Sequence, residues 1–332
     1  MAVKTNFQAL NDITVYVGAE TTFGTAAAAT AYTEFQVLDY TFSYPSPALE
    51  AAPPRAGSAV QSDGQFKHRP ELELYTASTT IRGTVAAVEM ACGAFFGSGS
   101  SPCVLPGSYA PPHSAWKDSI GSTTQKTLVF EGAGSDTTKN DIKMISCIPV
   151  RLKIMEDVGS NNGMMVVEID WVSAYKPIEE AVTITSPTRN SGAPKYIQNM
   201  NAAACTVASN ELVLWSWDLE LTRTLQRVSY IDTTDYDPYG MVQVGEIEVT
   251  ANLSAKNDDS VNDLAATFYS DTAVALALTH TTAAELTISC PKVFIDKTSI
   301  EKGDGIQMVT LPLRVASDET TPATNMLSIT IS

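Results

Sequence analysis

The sequence predicts a mainly β protein assembled from two similar halves. Apolar and polar residues alternate with a period of two over long stretches, which is typical of strands with one buried face. Only 17% of the residues are charged, and Thr, Ser and Ala take their place, a composition that favours strands and turns over helical bundles. The same order of hairpin, loop, helix and further strands occurs twice along the 332 residues, a length that allows about two domains.

The clearest alternation predicts a long hairpin in the second half. Residues 212–223 place an apolar row and a polar row on opposite faces: Trp215, Trp217, Leu219 and Leu221 against Ser216, Asp218, Glu220 and Thr222. The return strand, 244–253, carries Glu246 and Glu248 on its polar face. The segment between them, 224–242, contains the turn signals Asp237-Pro238 and Tyr239-Gly240. We therefore expect a hairpin with one apolar face, one acidic face and a long loop.

A short amphipathic helix is predicted after this hairpin, at residues 258–270. Asp258, Asp259 and Ser260 are N-cap candidates, and apolar residues recur at helical spacing from Val261 to Phe268. Strands are expected again at 286–290, 293–296, 306–315 and 327–331, with a glycine-containing turn at 301–305.

The first half shows the same order. Residues 35–44 alternate, with Asp39, Thr41 and Ser43 on the polar side, and the return strand at 72–81 begins after Glu71. A Pro- and Gly-rich loop at 45–70 lies between them, and apolar residues from Val85 to Phe95 predict the helix. Strands follow at 128–130, 142–154 and 164–172, with a turn at 159–163.

These patterns predict four segments. Residues 1–30 form an N-terminal arm with a strand at 13–17, and residues 31–176 form a first domain with an insertion at 98–125. Residues 177–210 form a linker in which 181–185 could be a strand, and residues 211–332 form a second domain. Cys147 aligns with Cys290 and Gly163 with Gly305. Chance similarity is the alternative, because two β-rich halves share turn residues easily.

No pattern predicts an enzyme or a cofactor site. The GxSxG, HExxH, GxGxxG and P-loop patterns are absent. Asp232, Asp235 and Asp237 resemble calcium ligands in spacing, but without the Gly and terminal Glu of such a loop they favour a solvated acidic loop. Several carboxylates on one strand face are a poor design for paired-carboxylate hydrolysis. The five cysteines and three histidines are scattered, so we expect no metal site and no disulfide framework.

Charge and hydropathy restrict the partners. A net charge of −16 argues against gripping nucleic acid through its phosphates, which needs clustered Lys and Arg, but not against letting it pass. No apolar run approaches the ~18 residues of a membrane span, and residues 1–10 lack the pattern of a signal peptide. We therefore expect a protein that is made and kept in the cytoplasm until assembly.

Three segments together resemble the major tail tube proteins of long-tailed, non-contractile bacteriophages. The first is Tyr16-Val17-Gly18-Ala19-Glu20 followed by Phe23-Gly24-Thr25, and the second is the alternating stretch from Trp215 to Arg223. The third is Gly245 to Leu253, Gly-Glu-Ile-Glu-Val-Thr-Ala-Asn-Leu, before a short helix. The resemblance implies two tail-tube-like β-sandwich domains, each with a flanking helix and a long hairpin that joins a β-barrel between subunits.

The resemblance also implies roles for particular residues and partners. The hairpins would line a channel for viral DNA, with Asp39, Thr41, Ser43, Glu71, Glu73, Asp218, Glu220, Thr222, Glu246 and Glu248 facing it. The loops at 45–70 and 224–242 would stack successive rings through Pro53, Arg55, Arg227, Tyr236 and Tyr239. Two hairpins per chain imply a trimer that imitates a hexamer; a hexamer is expected if only one half joins the barrel. Tape-measure and tail-tip or terminator proteins would be the other virion partners, with assembly in the host cytoplasm.

Two other classes remain alternatives. One is another virion component, such as a tail terminator or capsid decoration protein, which shares the β-rich, acidic character but forms no filament. The other is a carbohydrate-binding module or hydrolase on a β-sandwich, for which exposed aromatic residues such as Trp116, Tyr236 and Tyr239 would stack on sugars.

Overall fold

The computed structural model describes residues 13–43, 50–51, 66–67, 74–96, 103–105, 114–116, 125–132, 141–160, 163–189, 205–228, 240–258, 261, 264, 272–280, 286–296, 299–303, 306–316 and 326–331. Strands dominate this part of the chain, so the predicted mainly β fold is confirmed. One helix is complete within it.

The described part of the first half contains thirteen short and long strands and the helix α1. The elements are β1 (Ile13–Ala19), β2 (Tyr32–Phe35), β3 (Val37–Ser43), β4 (Glu50–Ala51), β5 (Phe66–Lys67), β6 (Tyr75–Arg82), α1 (Val85–Phe96), β7 (Cys103–Leu105), β8 (Ser114–Trp116), β9 (Lys126–Gly132), β10 (Ile142–Asp157), β11 (Val166–Ser173), β12 (Ile178–Glu179) and β13 (Thr188–Arg189).

The second half contains nine strands within the described residues. They are β14 (Cys205–Val207), β15 (Asn210–Glu211), β16 (Leu214–Val228), β17 (Gly240–Lys256), β18 (Val274–Thr279), β19 (Leu286–Ile295), β20 (Ser299–Gly303), β21 (Ile306–Val315) and β22 (Leu327–Ile331).

Eight strands form one antiparallel sheet that runs through both halves. Its order is β3–β6–β11–β10–β16–β17–β21–β20. The halves meet where β10 pairs with β16, from Arg151 opposite Thr222 to Asp157 opposite Ser216. We call this array the central sheet.

A second layer covers one face of the central sheet in each half. Behind the first half, β13, β2, β1, β9, the start of β10 and β12 are joined in that order. Behind the second half, β14, β18, the start of β19, β22 and β7 are joined. Buried apolar residues fill the space between the layers, among them Leu152, Trp171, Leu219, Leu253 and Leu311. The apolar rows predicted from the alternation are therefore the core side of the sheet.

Helix α1 lies where the sequence predicts it. The hydroxyl of Thr84 accepts a hydrogen bond from the amide of Ala87 (3.1 Å), which is a typical N-cap. Val88, Ala91, Cys92 and Phe95 point into the core. Of the second predicted helix, at 258–270, Val261 and Leu264 are buried, and most of the segment lies outside the described residues.

The structure corrects several predictions about strands. A register shift between Leu214 and Ser216 leaves Leu214 7% exposed in the core, and Trp215 is half-buried instead of belonging to the core row. The predicted strands at 286–290 and 293–296 are one strand, β19. Residues 181–185 form no strand. The strands β2, β14 and β18 were not predicted.

The insertion of the first half attaches to the second half. Strand β7, within the predicted insertion, pairs with β22 from Cys103 opposite Ile329 to Leu105 opposite Leu327. Strand β8 pairs with the start of β17, with Trp116 opposite Gly240. Segments of the predicted linker also pair with the first half, through β12 and β13.

Candidate functional surface: the polar face of the central sheet

The side of the central sheet that faces away from the core is polar, and we call it the polar face. In each strand the residues between the buried ones lie on this side. Its described charged side chains are Asp39, Arg82, Arg151, Lys153, Asp157, Glu168, Asp170, Asp218, Glu220, Glu246, Glu248, Lys256 and Arg314. These are eight carboxylates and five bases, so that the face is acidic but mixed.

Arg151 of β10 connects three strands on this face. Its Nε donates to Glu220 of β16 (2.6 Å), and its Nη2 and Nη1 contact Glu168 (3.2 Å) and Asp170 (3.5 Å) of β11. Partial burial alone would lower the pKa of Arg151, but the hydrogen bond and charge of Glu220, with the two other carboxylates, raise it. Arg151 therefore stays protonated and offsets the repulsion between three neighbouring acids.

A second ion pair strengthens the junction between the two halves. The ammonium of Lys153 lies 3.6 Å from the carboxylate of Asp218, and the side-chain amide of Asn252 donates to the same carboxylate at 2.9 Å. Two acids of the predicted lining, Asp218 and Glu220, are thus partly neutralised by bases that the sequence analysis did not single out. The signal was present, because Arg151 and Lys153 alternate within the predicted strand at 142–154.

The structure places some of the remaining predicted lining residues on this face. Asp39, Thr41, Glu246 and Glu248 are exposed, and Thr222 is half-buried opposite Glu248. Ser43 is the last residue of β3, opposite Thr76. Glu71 and Glu73 lie outside the described residues.

Little of the predicted stacking surface is described. Arg227 is half-buried near the end of β16, opposite Met241. Pro53, Arg55, Tyr236 and Tyr239 lie outside the described residues. The role of these residues in ring stacking stays a prediction.

A buried arginine fixes the central hairpin on α1. Arg223 is 6% exposed; its Nε donates to the carbonyl of Pro149 and its Nη1 to the carbonyl of Phe95, each at 2.8 Å. The guanidinium also lies 4.4 Å from the ring centroid of Phe95. Burial lowers the pKa of Arg223 to about 9, which leaves it charged at neutral pH. Sequence alternation placed Arg223 at the end of an apolar row, and this contact to the helix terminus explains why a base is tolerated there.

Beneath the polar face, a tryptophan and an acid join the two halves through the core. The indole Nε1 of Trp217 donates to Glu156 of β10 at 2.8 Å, and Glu156 is 1% exposed. His280 Nε2 lies 3.3 Å from the other oxygen of this carboxylate. The contact holds β16 against β10 on the core side, as the Arg151 contacts do on the polar side.

The N-terminal residues that carry the family resemblance form a compact hydrogen-bonded junction. Glu20 is 3% exposed and accepts from the hydroxyl of Thr127 (2.6 Å) and from the amide and hydroxyl of Ser146 (2.7 and 3.0 Å). Burial raises the pKa of Glu20 to about 6, against these hydrogen bonds, which lower it. Gly24 donates its amide to the Ser146 hydroxyl at 2.7 Å and has a φ of +82°. A Cβ there would meet the hydroxyl of Tyr175 at 2.3 Å.

No group of three or more His, Cys, Asp or Glu side chains with metal-binding geometry occurs within the described ranges. In the same part of the chain, no helix has the length and apolar character to cross a membrane.

The comparisons with known proteins identify the family. No curated protein matches the chain. A family model described as phage tail tube protein matches residues 11–315, a range that includes the N-terminal junction, both halves of the central sheet and the polar face. The chain belongs to the phage tail tube protein family.

Proposed function

We propose that this protein polymerises into stacked rings that form a phage tail tube, with the polar face lining the channel for DNA. The observation that carries the proposal is the polar face that continues from β3 to β21 across the described side chains of the central sheet, opposite a continuous apolar core. A sheet with these two faces suits a wall between a water-filled lumen and a packed outer layer.

The number of strands supports a ring made of several chains. An eight-stranded barrel has an interior just wide enough for side chains to fill. Closing the eight strands of one chain would bury Arg151, Lys153 and their carboxylates away from water, at a high desolvation cost. Three chains would supply three times eight strands, or 24, which leaves a wide aqueous lumen.

The two halves support a trimer of pseudo-sixfold symmetry. In both halves a hairpin is followed across the sheet by a later strand, and then by the strand that precedes this later strand in sequence. The two orders are β3–β6–β11–β10 and β16–β17–β21–β20. Each half would then act as one of six similar wall segments, and three chains would complete a ring. A hexamer is the alternative if only one half joins the wall.

The charge of the polar face fits passage of DNA without attachment. Duplex DNA carries one negative charge per roughly 1.7 Å, and a lining with excess carboxylate repels it weakly. Arg151 and Lys153 are engaged by neighbouring acids, so they offer little free positive charge to a phosphate. Tape-measure, tail-tip and terminator proteins would contact the same tube in the virion.

Electron microscopy of the purified protein tests the tube directly. We expect hollow filaments of stacked rings, whose averaged top views show threefold symmetry. Monomers or closed single rings at every protein concentration would contradict the proposal and favour a non-filamentous virion component.

Charge reversal on the polar face tests the lining. Glu246 and Glu248 are exposed, so Glu246→Lys with Glu248→Lys changes the lumen charge without breaking the Arg151 contacts. We expect normal tubes but slower DNA ejection from virions, more so at low salt. The matched control is Glu246→Gln with Glu248→Gln, which removes charge without adding bases. Equal DNA ejection rates from wild-type virions, the double Lys variant and the double Gln variant would refute an electrostatic role for the lining.

A further inference from the structure

The central sheet has one edge strand at each end within the described residues. At one end, β3 pairs with β6, and at the other, β20 pairs with β21. A long exposed sheet edge invites pairing with another strand. The identity of that strand can be inferred from the way in which the two halves already meet inside one chain.

The register shifts show which positions of the two halves correspond. In the first hairpin the shift falls between Val37 and Asp39, and in the second between Leu214 and Ser216, each time in the first strand. Val37 therefore corresponds to Leu214. The same alignment makes Thr41 correspond to Asp218 and Ser43 to Glu220.

Strand β10 can be aligned with β19 in the same way, through the register shifts in their pairing with β9 and β18. The pairing of β10 with β9 shifts after Met144, and the pairing of β19 with β18 shifts after Cys290. Met144, rather than Cys147, is thus the counterpart of Cys290. Continuing along the strands, Lys153 corresponds to Ser299 and Met155 to Glu301.

The internal junction supplies a template for pairing between chains. Inside the chain, Met155 of β10 lies opposite Asp218 of β16. Replacing each residue by its counterpart sets Glu301 of β20 opposite Thr41 of β3. β3 and β20 of one chain lie at the two ends of its open sheet, so this pairing joins residues of different chains. The template also sets Gly303 opposite Asp39 and Ser299 opposite Ser43.

We propose that β20 of one chain pairs antiparallel with β3 of a second copy, with Glu301 opposite Thr41. This seam rests on the proposed function, because it is the contact that would close three chains into a ring. It would continue the central sheet without interruption from chain to chain.

The residue types of the two edges are matched at one opposite pair. At the internal junction, Lys153 lies directly opposite Glu220. The corresponding residues at the proposed seam are Ser299 and Ser43, so the base and the acid are both replaced by serine. Either replacement alone would leave a charge opposite a neutral residue, whereas the two together give a neutral polar pair.

Cysteine cross-linking in assembled tubes tests the seam. The double variant Thr41→Cys with Glu301→Cys places one thiol on each edge at directly opposite positions, where Cβ atoms of neighbouring strands lie roughly 4.5–5.5 Å apart. After mild oxidation, we expect a non-reducing gel to show species of two and three linked chains and none larger. Each single variant controls for the native cysteines.

Two further variants make the result specific. Met155→Cys with Asp218→Cys is the matched internal pair and should cross-link within one chain. Ser43→Cys with Glu301→Cys shifts the register by two residues, to a separation of roughly 7–8 Å, and we expect at least fivefold less product.

The outcomes separate the seam from the tube. If tubes form and the internal pair links but the Thr41 and Glu301 thiols do not, the seam is wrong and the tube stands. A Thr41–Glu301 link within a single chain would mean that the sheet closes on itself, which also overturns the seam. A ladder that ends at six chains keeps the seam and refutes the trimer, and absence of tubes from the wild type refutes the proposed function itself.

Discussion

Replacing Glu20 by Gln should remove a pH-dependent loss of stability. The folded-state pKa of Glu20 is about 6, above the 4.5 of a free side chain. The folded state therefore favours the protonated carboxyl of Glu20. The stability that this preference contributes is fully present below pH 4.5 and is lost as the pH rises through 6. The difference of about 1.5 pKa units corresponds to about 2 kcal/mol at neutral pH. A Gln carbonyl can still accept from Thr127 and Ser146, so that the variant keeps the geometry without the buried charge.

The assay is urea unfolding of both proteins between pH 4 and pH 7 at one fixed protein concentration, because assembly would otherwise add to the apparent stability. The free energy of unfolding of Glu20→Gln relative to wild type should rise by about 2 kcal/mol across this range. Glu246→Gln, at an exposed position, serves as the control and should show no such trend. A pH-independent difference between Glu20→Gln and wild type would refute the reasoning.

Three other substitutions test contacts around the polar face and the N-terminal junction. Arg151→Met leaves three carboxylates without their shared base and should lower the free energy of unfolding by about 2 kcal/mol in urea melts. The control Arg189→Met breaks an exposed ion pair and should lower the free energy of unfolding by under about 1 kcal/mol. Arg223→Met removes two donors from buried carbonyls and should cost about 3 kcal/mol, seen as a lower urea midpoint; an unchanged midpoint would contradict the buried role. Gly24→Ala adds a clash to a positive φ and should lower Tm more than Gly245→Ala, where φ is +88° and no atom lies within 4 Å of the new Cβ; equal Tm shifts would mean that the clash is relieved.

Much of the fold was predictable from residue patterns within single strands and helices. The alternation of the second hairpin gave the correct core row from Trp217 to Leu221, and the spacing from Val85 to Phe95 gave the helix nearly to the residue. The same alternation misplaced Trp215, because a β-bulge inserts one residue without any fixed change in composition. Strands β14 and β18 are short and lack strong alternation; they pair with each other, and β18 also pairs with β19.

The candidate surface was predictable only in part for a related reason. Which residues of one strand face outward follows from the strand alone, and Asp218, Glu220 and Glu248 were found in this way. Which strands lie side by side depends on long-range pairing, so the contacts of Arg151 with Glu168 and Glu220 could not be read from spacing. The attachment of β8 to β17 was hidden for the same reason, since the two are far apart in the chain.

The pairing of β10 with β16 inside a single polypeptide has a consequence for assembly kinetics. A tether between two binding surfaces converts their association into an intramolecular event at a high effective concentration. In the ring that we propose, every second contact would already exist when a newly folded chain leaves the ribosome. Three contacts between chains would then remain per ring, of which two form by bimolecular encounter and the third closes the ring. Nucleation of the filament should therefore depend on a lower power of concentration than it would for six separate wall segments.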